Sequence, residues 1–245
     1  MEKPVLGVIG IGEVGKAIAK IFKKNFIVLK KDLNFDEIGK NSINILHICI
    51  PYTKDFLKII TREIKILKPQ LVIIHSTVLP TTTKKIFQKT NVPIVHSPVM
   101  GTHPNLAEDI LRFTKFIGPV EENAGKLARQ HLESVGIKVE VLGSSLETEV
   151  GKLLDTTYYG WNIIFAKIVG QICEKLNIDF SKVYTKFNEA YNEGYKKTRP
   201  NVTRPILKYE KGPVGGHCIT PNAEILHQFS PSPLTSFLIK TNKKL

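Results

Sequence analysis

Cys218 stands in the run Val214-Gly215-Gly216-His217-Cys218-Ile219. Glycines let a backbone approach a ligand closely and adopt positive φ. A thiol beside such a pair can face a substrate and still be held in place. Cysteine thiolate is a strong nucleophile, and a neighbouring lysine or helix N-terminus favours it. Lys152 is the candidate neighbour, either to help ionise Cys218 or to stabilise a developing oxyanion. Gly215 and Gly216 are then expected to border the substrate. Arg199 and Arg204, in an irregular basic stretch from Lys196 to Lys211 that also holds Tyr209, suit a phosphate or carboxylate.

The second chemical signature opens the chain. Gly10-Ile11-Gly12-Glu13-Val14-Gly15 lies between an apolar run, Pro4 to Ile9, and a periodic stretch through Ala17, Ile18, Ile21 and Phe22. A strand at Phe26 to Leu29 follows. GxGxxG in a strand–turn–helix–strand context is a dinucleotide fingerprint. Its glycines make the tight turn, admit the pyrophosphate and let helix and strand pack closely. Asp32 stands where an acid would bind the adenosine ribose hydroxyls, which favours NAD. Lys30 and Lys31 beside it could instead hold a 2′-phosphate, so NADP stays open.

Strands and helices then alternate. Strands are expected at Asn44 to Ile50, Leu71 to His75, Pro93 to His96, Lys115 to Ile117 and Lys138 to Leu142. Helices are expected at Phe56 to Leu67, Thr82 to Lys89 and about Glu122 to Ser134. This order predicts an α/β, Rossmann-type, doubly wound and mostly parallel sheet over residues 1–144. Ligands bind beyond the carboxyl ends of such strands. Pro51, Ser76 and Thr77 occupy those ends and should line the cofactor cleft, with Thr77 near the nicotinamide.

From Ser145 the period changes to 3.6. Apolar residues recur from Leu146 to Ile172, predicting a long helix capped by Ser145 or Thr148 and ended near Asn177. A second helix is expected from about Phe180 to Tyr191. Residues 145–245 thus read as an α-helical substrate or dimerisation domain carrying the nucleophile loop.

The bulk numbers exclude several classes. Net charge is +13 over 245 residues. The lysines are scattered, and aromatics are not interleaved with them, which weighs against nucleic acid. An anionic small molecule is the expected partner. The three cysteines lack metal spacing, so no metal site is expected and a cytoplasmic setting is. Neither a signal peptide nor a membrane span is expected.

Together these residues resemble the UDP-glucose/GDP-mannose dehydrogenase family. Ile48-Cys49-Ile50-Pro51 is similar to its Val-Pro strand end. His75-Ser76-Thr77-Val78, with Pro80 and Thr81-Thr82-Thr83, is similar to its Ser-Thr-Val…Pro-Gly-Thr-Thr signature. Ser97-Pro98, Ala107-Glu108-Asp109 and Phe116-Ile117-Gly118 parallel the stretch from its Pro-Glu to its Arg-Ile-Val-Ile-Gly strand. Glu149 to Thr156 resembles its Glu-x-x-Lys-x-x-x-Asn helix, and Gly215 to Ile219 its nucleophile loop. The resemblance implies two successive oxidations of a nucleotide sugar's primary alcohol by NAD. Cys218 would carry a thiohemiacetal and then a thioester, Lys152 would stabilise the oxyanion, and Thr77 would position water or the reacting hydroxyl. It also implies a homodimer.

Three positions depart from the pattern. Val99, beside Met100 in the expected substrate loop, replaces a Glu; Thr156 replaces an Asn; Asn222 replaces an Asp. His75, His96, His103 and His217 are candidate substitutes for acid–base work. The family's third, C-terminal domain is expected to be lacking. Two rivals follow: a β-hydroxyacid-type dehydrogenase that does not use Cys218, and a non-catalytic NAD-binding pseudoenzyme.

Overall fold

A computed structural model describes residues 3–39, 41–102, 104–215 and 218–244. Gly216, His217 and His103 lie outside the described residues. The chain divides into two compact units, Met1–Lys152 and Leu153–Leu245.

The first unit is built on eight strands: β1 (Val5–Ile9), β2 (Ile27–Asp32), β3 (Phe35–Asp36), β4 (Ile45–Ile48), β5 (Leu71–Ile74), β6 (Ile94–His96), β7 (Lys115–Pro119) and β8 (Val139–Val141). They lie in the order β3-β2-β1-β4-β5-β6-β7-β8. The helices are α1 (Glu13–Phe22), α2 (Phe56–Leu67), α3 (Thr82–Thr90), α4 (Leu106–Arg112) and α5 (Glu122–Glu133). β2, β1, β4, β5 and β6 run parallel, as the alternating pattern predicts. Both faces are covered, so β5 is apolar throughout. Leu71 and Ile73 join one core cluster with residues of α1 and α5, while Val72 and Ile74 join the other with residues of α2 and α3. Three features were not expected. β3 hairpins back onto β2, β7 runs antiparallel to β6, and α4 lies between β6 and β7.

Helix α6 (Ser145–Leu176) is a single run of 32 residues. Asn177 ends it at φ 53, the left-handed geometry that asparagine tolerates. In the second unit a π turn, Ser181–Thr185, leads into α7 (Lys186–Tyr195), so the second helix runs past Tyr191. Two further helices, α8 (Ile219–Phe229) and α9 (Pro233–Asn242), follow the irregular basic stretch. Ile164, Val214, Ala223 and Leu238 form this unit's core. Gly160 admits the close approach of Ile219 and Leu238, whose carbons would lie 2.5 and 3.1 Å from any Cβ there.

Candidate active site

Two of the three glycines in the loop meet a steric demand within the fold. Gly10 has φ +91, and a Cβ would fall 2.7–2.8 Å from Ile50 and the Cys49 carbonyl carbon. A Cβ on Gly15 would fall 1.8 Å from the Gly10 carbonyl oxygen. Gly12, the N-cap of α1, has nothing within 4 Å of that position. The first and third glycines are thus required by the fold. The second is required only if something lies on the loop, as a pyrophosphate at a helix N-terminus would. Ile11 and Val14 pack inward on the first core cluster, while Glu13 is exposed in the first turn of α1.

Asp32 ends β2 with its carboxylate accepting from the Ile11 N–H at 2.6 Å and the Leu33 N–H at 2.7 Å. The Ile11 bond, then the Leu33 bond and Lys16 hold its pKa below the usual range. An anionic acid beside the glycine loop suits ribose hydroxyls and opposes a 2′-phosphate. Lys31 is occupied elsewhere, with Nζ 2.9 Å from both Asp36 and Glu63. Desolvation depresses its pKa, but the two carboxylates outweigh this and raise it. It is therefore engaged rather than open to a 2′-phosphate.

At the carboxyl ends of β4 and β5, Ser76 Oγ donates to the Ile50 carbonyl at 2.6 Å. Pro51 is exposed there, and Thr77 is partly exposed. These residues border the same rim as the glycine loop, because β4 pairs with β1.

The first turns of α6 meet this rim. Glu149 is fully buried and accepts from the Thr81 N–H, the Thr83 N–H and the Thr83 hydroxyl at 2.6, 2.9 and 2.6 Å. It caps α3 from another helix. Desolvation raises its pKa against these bonds. The capped residue Thr81 has φ +79, a left-handed geometry costly for a β-branched side chain. Thr148 Oγ1 lies 2.9 Å from His96 Nδ1. Lys152, one turn on, is half-buried, and its charge lowers the pKa of both His96 and Lys115.

Beneath this rim runs a chain of imidazoles that the sequence did not reveal. His75 Nδ1 lies 2.9 Å from the Ser97 carbonyl, which can only accept, so Nδ1 carries the proton. His75 Nε2 must then accept from His47 Nδ1 at 2.8 Å. His47 Nε2 in turn accepts from His131 Nε2 at 2.9 Å. One carbonyl thus fixes three tautomers. Burial pushes all these pKa values down: well below the usual value for His47 and His75, and to about 3 for His131 and His96. His96 is committed likewise, between Thr148 and the Ser76 carbonyl. The expectation that His75 or His96 supplies acid–base catalysis is therefore corrected: both nitrogens of each ring are bonded and the rings are held neutral.

The loop after β6 is equally fixed. Lys115 Nζ donates to the Ser97 and Pro98 carbonyls at 2.8 and 3.0 Å. Asp109 accepts from the Thr102 N–H at 2.9 Å and lies against Gly101, whose φ is +137. Val99 packs on the first core cluster and Met100 is half-buried.

In the second unit, Cys218 is exposed at the N-cap of α8. Asn222, one turn along, is buried and donates its N–H to the Cys218 carbonyl at 3.0 Å. Thr156 is buried on α6, and Gly215 is exposed. Arg204 stacks 3.4 Å over the Tyr191 ring, and Arg199 lies 5.2 Å over Tyr195. Tyr209 packs its ring onto Gly170, where a Cβ would lie 2.2 Å away. No group of His, Cys, Asp and Glu suited to a metal occurs among the described residues. No helix among them is long and apolar enough to cross a membrane.

No family model matches the chain. It is 26% identical to the UDP-N-acetyl-D-mannosamine dehydrogenase of Methanocaldococcus jannaschii, over 87% of this chain and 54% of that protein. The chain thus spans about half the length of this curated relative. The solved UDP-D-ManNAc dehydrogenase of Pyrococcus horikoshii has the same fold, with TM-score 0.79 and 18% identity over 98% of this chain and 68% of that one. The 3-hydroxyisobutyrate dehydrogenase of Mycobacterium tuberculosis also shares it, with TM-score 0.74 and 15% identity over 99% and 93%.

Proposed function

We propose that this divergent relative of the nucleotide-sugar dehydrogenases oxidises a primary alcohol on a nucleotide sugar, with NAD as hydride acceptor. The observation that carries the reading is the glycine loop. Gly12 faces open space at a helix N-terminus while Gly10 and Gly15 answer internal demands, and Asp32 stands beside them.

The residues fit a dinucleotide. The first turn of α1 and the Gly12 backbone would take the pyrophosphate, and Asp32 the adenosine ribose. NAD, when bound, supplies the hydride acceptor. Lys152 would hold the substrate oxygen as its negative charge develops. Thr77 would orient the hydroxyl or, later, water. The first oxidation gives an aldehyde, a reduced cofactor and a proton. Cys218 sulfur adds to the aldehyde carbon, giving a thiohemiacetal. A second oxidation converts it to a thioester, and water then releases the acid and the thiol. Asn222 and Thr156 stand where the family has carboxylate and amide groups. The thioester step should therefore be the slow one, by roughly 10²-fold or more.

The same reading extends to partners. Arg199 and Arg204, stacked on tyrosines, are suited to anionic phosphates. Leu154, Tyr158, Phe165, Ile172 and Leu176 form an exposed apolar stripe along α6, each at least half exposed. Such a stripe supports a homodimer. All three cysteines are free, in keeping with a reducing cytoplasm.

The test is NADH formation by wild type and Cys218→Ala on UDP-glucose, UDP-N-acetylglucosamine, UDP-N-acetylmannosamine and GDP-mannose. Cysteine-dependent turnover on any of them supports the reading. Turnover of small β-hydroxyacids that survives Cys218→Ala would replace it with the β-hydroxyacid alternative. NAD binding without turnover of either class would indicate a pseudoenzyme.

A further inference from the structure

Lys115 is 4% exposed, at the start of β7, in a place where a lysine is seldom found. Among the described residues no carboxylate pairs with it. Its Nζ instead spans the Ser97 and Pro98 carbonyls, the turn that leads from β6 into Val99 and Met100. Ser97 is held twice more, by His75 Nδ1 on the same carbonyl and by its own hydroxyl donating to the Phe116 carbonyl at 2.8 Å. The family resemblance implies a carboxylate at position 99. This chain has none there, and a buried amine holds the adjoining turn.

We propose that Lys115 is a positioning residue: its amine fixes the Ser97–Pro98 turn at the rim of the cofactor cleft, and its charge sets how readily the cleft accepts a cationic nicotinamide. The proposal rests on the dehydrogenase reading above.

The neighbours isolate this group. From β4 and the residue after it come His47 and Cys49, from the end of β5 His75, from β6 His96, and from α6 Lys152. The three imidazoles are kept neutral. Burial pushes the Cys49 thiol up to about 12, so it too is neutral. Lys152 is then the other charge that Lys115 senses. Burial, the largest effect, brings Lys115 down to about 7, and the charge of Lys152 acts in the same direction. Lys115 is thus the member of this cluster that changes charge near neutral pH. A cation in a low-dielectric floor is felt at long range. Protonated, it opposes a second cation at the rim; neutral, it can still donate two N–H groups to the two carbonyls.

The test is calorimetric titration of NAD+ and of NADH at about pH 6 and about pH 8.5. The panel is wild type, Lys115→Met (neutral) and Lys115→Arg (permanently charged). Wild type should bind NAD+ about threefold or more tightly at the higher pH. Lys115→Met, which loses both bonds to the turn along with the charge, should bind NAD+ without pH dependence, and Lys115→Arg should bind it weakly at both values. NADH, whose nicotinamide is uncharged, should show little pH dependence in any variant. NMR of the Lys115 side chain, which needs no ligand, should give a midpoint near neutrality. Pronounced pH dependence surviving in Lys115→Met, an equal dependence for NADH, or a Lys115 midpoint near 10 overturns the proposal. If wild type binds NAD+ equally well at both pH values, the proposal fails and the dehydrogenase reading stands. If it binds at neither, both fail.

Discussion

Lowering the pH from about 7 to about 5 should strip the dinucleotide-binding unit of most of its stability. Four imidazoles, His47, His75, His96 and His131, are buried and held neutral in the folded chain. Unfolded, each titrates near 6.5. Their folded pKa values are depressed, so the unfolded state binds more protons below that point. The stability they permit is fully present above about pH 6.5 and is lost as pH falls toward about 3. At pH 5 each ring favours unfolding by about 2 kcal/mol, and four by about 8 kcal/mol. That matches the whole stability of a typical domain, about 5–15 kcal/mol. Urea unfolding followed by circular dichroism should therefore show the midpoint collapsing over this interval. His131→Gln keeps a donor for His47 Nε2 while removing one titrating ring, so about a quarter of the loss should disappear. A wild-type loss below about 2 kcal/mol would refute the reasoning, because the rings would have to be solvated or already charged.

Other substitutions separate fold from function. Gly12→Ala should leave thermal stability almost unchanged yet weaken NAD binding about tenfold or more, measured by calorimetry, since its Cβ meets only open space. Gly15→Ala should lower the melting temperature by several degrees, because the Cβ would collide with the Gly10 carbonyl. Thr81→Gly should raise stability by about 0.5–1 kcal/mol by removing a β-branched residue from left-handed geometry; thermal melts that show a loss would contradict this.

Local patterns made much of this fold legible. The glycine fingerprint, Asp32 and the strand ends at Pro51 and Ser76 all lie within a few residues of the elements that position them. The 3.6-residue period marked α6 from Ser145, because a long helix repeats its signal many times. The direction of β7 was not legible, since pairing against β6 is set by how the chain returns after α4. Nor was β3, a two-residue hairpin arm. α8 escaped because its N-cap is a cysteine, not one of the side chains that usually mark a helix start. The imidazole chain was the largest omission. His47, His75 and His131 are 28 and 84 positions apart in their contacts; the first two sit alone in or at the end of apolar strands, and His131 lies among the polar residues of α5. Lys115 was legible only as the first residue of a strand, because burial of a single charged side chain leaves no periodic trace.

The most direct test of the account is the stoichiometry of a single incubation. Purified wild-type protein would be given excess NAD+ and a limiting amount of the nucleotide sugar it turns over. NADH would be counted by absorbance and the sugar product by mass spectrometry. The account predicts about two NADH per uronate formed, with a covalent adduct on Cys218 detectable during turnover and absent in Cys218→Ala. No NADH from any nucleotide sugar by a protein that binds NAD+, or turnover unchanged in Cys218→Ala, would contradict it.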